Sequence, residues 1–447
     1  MKANRLVKSA NGMLLILTLL VVLVGCGRED GRSGPSIILV IIDTLRADHV
    51  HCYGYEREIT PCIDSLASRG TMWVNVQAQS SWTLPSMASI FTGTSERAHR
   101  AGMVDGSHYG VSDSLEFLSE ILDNSGFSTC AIFNVAFLAP KYGFGRGFDF
   151  GEFKGCSLEA MDADEVVDSF VGWMERRDSS NSFFAVLHFF DPHFPYDPPE
   201  GFRGYRDPAY RGYAWGTRAG EGEDMIEAFR SGEMGEDGLQ YMIDSYDGEI
   251  AFLDSELSRL FSWLRAEGVA DSTLIIVIAD HGEEFGEHGM LLHGNQLYNE
   301  TTRVPLVASG PGVPDGIVDS SLVGQIDILP TILAYLDLPI PSQAQGSDIL
   351  GQEVPVDREL PCSGFNSDVS HYVAIRRNNQ KLFWHMNSDS AYTFNLKLDP
   401  GETQPCPPDS TLVEAAHDYW SRPALYTAPE IPGGEIHAQK LRDLGYM

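Results

Sequence analysis

Thr83 lies in the run Ser81-Trp82-Thr83-Leu84-Pro85-Ser86-Met87-Ala88-Ser89, with a proline two places after it. That proline suits the first turn of a helix, and it sets the Thr83 hydroxyl where exposed backbone N–H groups favour developing negative charge. Alone, this is the pattern of an ordinary capping threonine. Two distant stretches change its meaning. Ile41-Ile42-Asp43-Thr44 and Ala279-Asp280-His281-Gly282 each put a carboxylate directly after an apolar run, and the second adds an imidazole. Asp43, Asp280 and His281 together make a small oxygen and nitrogen set suited to a divalent metal. An aliphatic hydroxyl is a weak nucleophile at neutral pH, so a neighbouring cation supplies the activation that Thr83 lacks.

These side chains meet only if the chain delivers them to one place. Residues 37–42, 128–133, 183–189 and 273–278 are apolar-rich runs of the kind found in strands covered on both faces of a parallel sheet. Helical periodicity fills the stretches between, at 63–69, 115–124, 225–230 and 239–263. Strands separated by helices predict an α/β fold with a central, mostly parallel sheet flanked by helices. Open sheets of that kind place their ligands beyond the strand ends, where Asp43 and Asp280 stand. Residues 326–336 read as a further helix, and from about 369 short runs at 372–376, 381–385 and 392–396 suit a small antiparallel sheet. The expected division is a catalytic domain over 36–350 and a C-terminal subdomain over 351–447.

The start of the chain reads as a processing segment. Lys2, Arg5 and Lys8 precede an apolar run at 13–24 that is shorter than the ~20 residues a spanning helix needs, and Leu23-Val24-Gly25-Cys26 follows. The segment 1–26 resembles a bacterial lipoprotein signal, which implies that Cys26 carries lipid and that residues 27–35 tether the domain to a membrane of the cell envelope, facing the periplasm or exterior. The formal charge of −32, from 31 basic and 63 acidic residues, repels phosphate backbones and excludes nucleic acid as a partner. An anionic substrate has to be drawn in by local cations. Beyond Cys26 the cysteines are Cys52, Cys62, Cys130, Cys156, Cys362 and Cys406, an even number that permits disulfides, and the absence of any CxxC pair argues against structural zinc.

Taken together, these motifs resemble the sulfatases and their relatives in the alkaline phosphatase superfamily. Those proteins share an apolar strand ending in a metal-binding aspartate, a nucleophile motif of the form (Cys, Ser or Thr)-x-Pro-Ser-x-Ala-Ser-x-x-Thr-Gly, and a later Asp-His-Gly, and this chain matches all three in order. Further likeness lies at Asp191-Pro192-His193, Arg303-Val304-Pro305-Leu306, Asp327-Ile328-Leu329-Pro330-Thr331 and Asp399-Pro400-Gly401-Glu402. The resemblance implies an alkaline-phosphatase-like fold in which Asp43, Asp280 and His281 bind metal, Thr83 is the nucleophile, and His193 contacts the leaving or transferred group. His293 lies five residues after His288, where many sulfatases carry a substrate-touching lysine. A second metal held by Asp191, His193 and His293 is a further expectation, while His188 and His288 read at least as readily as packed or supporting histidines.

The departures shape the expected chemistry. Threonine stands where sulfatases have the cysteine or serine that becomes formylglycine, Met87 replaces the arginine four residues on, and Thr44 replaces the second aspartate of the metal motif. Fewer carboxylates and one imidazole shift the preferred cation from calcium towards zinc or manganese. Formylglycine's gem-diol can expel sulfate through its second hydroxyl, and a threonine ester has no such exit, whereas phosphothreonine can be cleared by water attacking phosphorus. The leading expectation is therefore a metal-dependent hydrolase or transferase of phosphate esters or phosphonates acting through Thr83 on an anionic small-molecule, glycan-linked or lipid-linked ester, with His193 or His293 assisting the leaving group. The alternatives are a sulfuric ester hydrolase using unmodified threonine and a non-catalytic surface-binding lipoprotein.

Overall fold

The computed structural model describes residues 34–104, 107–154, 160–366 and 370–432. Its centre is an eight-stranded sheet in the order Ile317–Gly324, Thr71–Gln77, Leu306–Ser309, Thr273–Ala279, Ser36–Ile42, Phe183–Phe189, Ser128–Phe133, Phe150–Phe153. All pairings are parallel except those of Leu306–Ser309, which runs against both its neighbours. Ser36–Ile42, Phe183–Phe189 and Thr273–Ala279 are buried at every position, which is why their sequences run apolar rather than alternating.

Helices cover the sheet. Thr83–Thr92 is buried along its whole length, and the long helix Gly235–Ala266 packs Ile250, Leu253, Leu257, Leu260 and Leu264 into the main core. Four antiparallel strands follow, Glu359–Asn366, Ser370–Arg377, Gln380–His385 and Ser390–Asn395. Alternation divides their side chains. Val373, Ile375, Leu382 and Trp384 pack on helix Ser410–Ser421, while Ala374, Phe383 and Phe394 gather with Leu297 and Cys362 on the other face. The α/β architecture with a small antiparallel sheet thus stands as expected.

Four strands of the large sheet were not expected: Thr71–Gln77, Leu306–Ser309, Ile317–Gly324 and the four-residue edge strand Phe150–Phe153. The first mixes polar residues into a partly exposed run, the second has only four residues, and the third is an edge strand whose first half is largely solvent-facing. The segment ending at Cys26 and residues 27–33 of the tether lie outside the described residues, as does Cys156. Cys52, Cys62, Cys130, Cys362 and Cys406 are free thiols. Among the described residues no helix is long and apolar enough to cross a membrane.

Candidate active site

Strand register builds the site. Ile42 pairs with Ala279 on one side and with Phe189 on the other, so Asp43 and Asp280 leave adjacent strands side by side, and His188, one residue before Phe189, stands next to them. Asp43, His188 and Asp280 form the group of donors close enough to hold one metal ion among the described residues. His188, read from sequence as a packed or supporting residue, is therefore brought into the cluster. Its signal lay in its place at the end of an otherwise apolar run that pairs with the Asp43 strand.

The backbone then turns sharply. Thr44 adopts a left-handed conformation, φ 55°, that a β-branched residue rarely takes. Its N–H donates to Asp280 Oδ1 (3.3 Å), its carbonyl accepts from the Tyr246 hydroxyl (2.8 Å), and the His281 N–H donates to the same Asp280 oxygen (2.8 Å). Asp280 Oδ1 is thus fixed by two backbone donors, which aims Oδ2 inward, 3.4 Å from His281 Nε2. His281 Nδ1 lies 3.0 Å from the Gly282 carbonyl, so the Nδ1 proton belongs there and Nε2 presents a lone pair. Asp43 Oδ1 is 3.4 Å from that nitrogen, and Asp43 Oδ2 is 3.7 Å from His188 Nε2.

Thr83 is the first residue of its helix rather than the cap, which is Trp82. Its hydroxyl turns to the cluster, with Oγ1 3.2 Å from His281 Nε2 and a further hydrogen bond to Asp280. Met87 is wholly buried in the apolar core, so no guanidinium reaches the site from that position.

The donor set fits a divalent cation. Ligands held about 2.1 Å from one ion in a tetrahedral array lie about 3.4 Å apart; His281 Nε2 lies 3.4 Å from Asp43 Oδ1, 3.4 Å from Asp280 Oδ2 and 3.2 Å from Thr83 Oγ1, beside the group formed by Asp43, His188 and Asp280. Both Asp43 oxygens, both His188 nitrogens and Asp280 Oδ2 are buried without a hydrogen-bond partner, a costly state that a cation relieves. Burial, followed by Asp280 and Glu283, pushes the Asp43 carboxyl well above its ordinary range. Burial also raises Asp280 and drives His188 down to about 3. Carboxylates held protonated and imidazoles held neutral are groups from which a cation displaces protons.

His193 and His293 stand on the other side of His281. The His293 ring lies 4.5 Å from His281 and 5.0 Å from His193, whose own ring stacks on Phe190 at 4.3 Å. Burial, reinforced by neighbouring histidines, holds both well below the ordinary imidazole range. Glu283, not singled out from sequence, accepts from His293 Nδ1 (2.9 Å) and from the Tyr196 hydroxyl (2.8 Å), so it orients His293 from behind. Asp191 shares a hydrogen bond with Glu249, and Asp191, His193 and His293 do not form a metal-holding group among the described residues. His288 stacks on Tyr298 at 3.6 Å and faces Glu300 at 3.5 Å, away from the cluster.

Comparison with known proteins agrees with this geometry. The sulfatase family model matches residues 35–338. An arylsulfatase of Clostridium perfringens is 24% identical over 436 residues, covering 82% of this chain and 89% of that protein. An N-acetylglucosamine-6-O-sulfatase of Bacteroides thetaiotaomicron is 23% identical over 494 residues, covering 89% and 87%. Among solved structures, BT4656 in complex with its substrate D-glucosamine-2-N,6-O-disulfate superposes with a TM-score of 0.71 at 19% identity, covering 92% of this chain and 98% of that one. A phosphonate monoester hydrolase of Agrobacterium radiobacter gives 0.68 at 20% identity, covering 86% and 94%. At these identities the solved structures establish a shared fold.

Proposed function

Because this chain belongs to the sulfatase family, whose model spans most of it, we propose that it hydrolyses sulfate esters on anionic, glycan-type molecules. Metal-dependent ester hydrolysis is the class to which the family and the donor set assign it. The observation that carries the finer reading is Thr83: a buried hydroxyl 3.2 Å from His281 Nε2, at ligand spacing within the donor set. Asp43, His188, Asp280 and His281 would hold the cation. When bound, a divalent ion there lowers the pKa of the Thr83 hydroxyl and offsets negative charge on the transferring group.

Thr83 Oγ1 attacks sulfur as the bond from sulfur to the ester oxygen breaks. The proton that Thr83 gives up passes through the neutral His193 or His293 to the departing alcohol, with Glu283 fixing the second of these through Nδ1. Water then attacks the sulfur of the threonine ester as its bond to Oγ1 breaks, and the same histidine passes a proton from the water to Oγ1, which restores the hydroxyl and releases sulfate. A second reading, transfer at phosphorus, is favoured by the nature of residue 83: a threonine ester has no second hydroxyl through which to expel sulfate, and phosphothreonine is cleared by direct attack. The sulfated substrates of the glucosamine-acting relatives make sugar-borne sulfate the first class to test.

The test is a paired assay of aryl sulfate, aryl phosphate, aryl phosphonate and aryl phosphodiester with zinc, manganese or calcium added to chelated protein. Sulfate hydrolysis that requires a cation, with a sulfate adduct on Thr83 in quenched samples, supports the first reading. Cation-dependent turnover confined to the phosphorus esters establishes the second. A fully active Thr83→Ala protein ends both. We also propose that the chain is anchored at Cys26 in the cell envelope; mass spectrometry of the mature amino terminus checks this, and an unmodified Cys26 rejects it.

A further inference from the structure

A cavity of about 450 Å³ lies where the strand Thr71–Gln77, the segment Asn299–Arg303 and the C-terminal sheet meet, and its walls include Asn75, Asn299, Arg303, Arg376 and Asn379. Its size falls in the range of small-molecule sites, roughly 300 to 1,000 Å³. Two guanidiniums share it. In a chain with 63 acidic and 31 basic residues, cations usually find carboxylates. Here neither arginine has one within 4 Å among the described residues. Asp48 and Glu300 also line the cavity, but the closest ion pairs of these acids lie elsewhere: Asp48 pairs with Arg46 at 2.7 Å and feels Arg303 only at longer range, Glu300 faces His288 at 3.5 Å, and Glu402 pairs with Lys381 at 3.0 Å while acting on Arg376 from beyond ion-pair distance.

Arg376 is 3% exposed. Its Nη2 donates to Asn75 Oδ1 (2.8 Å) and its Nε to the Asn378 carbonyl (3.4 Å), while Nη1 is buried with no partner. Arg303 donates through Nε to the Val74 carbonyl (3.3 Å). Burial, with Arg303 beside it, pulls the Arg376 guanidinium down to about 10. Such a pair is held together against its own repulsion and desolvation, and an anion between the guanidiniums would remove both costs.

We propose that this pocket binds a tetrahedral oxyanion, a sulfate or phosphate group, in a molecule of about sugar size. Both guanidiniums line the cavity and can each donate to an oxygen of such a group, and the asparagine amides can serve neighbouring hydroxyls. The assignment goes beyond the proposed hydrolysis and does not depend on it, because occupancy is measured without turnover.

Calorimetric titration of the intact, chelator-treated protein with sodium sulfate, sodium phosphate and glucosamine 6-sulfate reads this pocket apart from the cation-dependent centre. Saturable one-site binding is expected, weakened at least about tenfold in Arg303→Gln and in Arg376→Met, because each variant removes a charged hydrogen-bond donor to the anion. Arg303 is partly exposed, so Arg303→Gln keeps the test open if the buried substitution unfolds the protein. Tighter binding of the sulfated sugar than of free sulfate assigns the pocket to an ester-borne group, and equal binding assigns it to the free ion. Absence of saturable binding through the millimolar range, or binding unchanged in Arg303→Gln, overturns the proposal. Failure of ester hydrolysis by metal-loaded protein leaves these outcomes untouched.

Discussion

Asp43→Asn should push stability in opposite directions in the presence and absence of cation. Asp43 is wholly buried, neither oxygen accepts a hydrogen bond, and Asp280 and Glu283 stand close enough to raise its pKa well above the ordinary value. Such a carboxyl is stabilising only while protonated: relative to the unfolded chain its contribution is fully present below about pH 4 and is lost as pH rises through its raised folded-state pKa. At neutral pH the metal-free protein therefore carries a strained acid. Asparagine has the same shape and no charge, so the chelated variant should be no less stable than the parent, and up to ~1 to 3 kcal/mol more stable. In the parent, a cation at a hundred times its dissociation constant adds about 2.7 kcal/mol, and the variant should lose most of that increment. Thermal unfolding of both proteins, with chelator and with zinc, manganese or calcium, measures all four states. A chelated variant that melts well below the parent yet keeps the full cation-induced rise would refute the reasoning.

His188→Ala should weaken cation affinity by at least about tenfold to a hundredfold while leaving the chelated protein folded, because it removes a buried donor whose ring nitrogens hold no other hydrogen bond; competition with a chelating dye measures it. Glu283→Gln should lower kcat by about 10- to 100-fold with a smaller change in cation affinity, since it disturbs the support of His293 Nδ1 and Tyr196; parallel kinetics and metal titration separate the two effects. Glu96 links the main body to the C-terminal sheet through Ser363 (2.7 Å), and burial pushes its carboxyl up to about 8. Its raised pKa means that parent stability falls as pH rises between about 4.5 and 8, and Glu96→Gln should flatten that part of the curve in denaturant melts.

The legible parts of this molecule were those that repeat a simple physical demand. A strand buried on both faces must be apolar throughout, so Ser36–Ile42, Phe183–Phe189 and Thr273–Ala279 announce themselves, and the polar residues just beyond them stand out as candidate ligands. Sequence does not announce register. That His188 faces Asp43 follows from Ile41 pairing with His188, a fact of the sheet that no local pattern encodes. Glu283 was hidden for a similar reason: one acid in an acid-rich run gains its meaning only when the chain folds back to bring Tyr196 and His293 against it. Asp191 shows the same limit from another side: likeness to two-metal relatives offered it as a ligand with His193 and His293, although the one-residue gap did not resemble their spacing, and only the fold reveals that its carboxyl shares a hydrogen bond with Glu249.

The acidity of the chain sharpens the functional argument. A net charge of −32 raises the approach barrier for any anionic ester, so productive encounters depend on places where positive charge is concentrated against the surrounding field. The fold creates two of different kinds. At the strand ends, carboxyl oxygens without hydrogen-bond partners and a neutral imidazole form a recess that becomes positive only on taking up a cation. At the seam with the C-terminal sheet, Arg303 and Arg376 have no carboxylate within ion-pair distance among the described residues, although Asp48 and Glu300 line the same cavity. Added salt should therefore have opposed effects: screening the global charge assists approach, whereas sulfate or phosphate competes locally for the arginines. Substrate affinity that improves with sodium chloride but worsens with sodium sulfate at equal ionic strength would separate the two contributions. Identical responses to both salts would mean that the local sites do not govern capture.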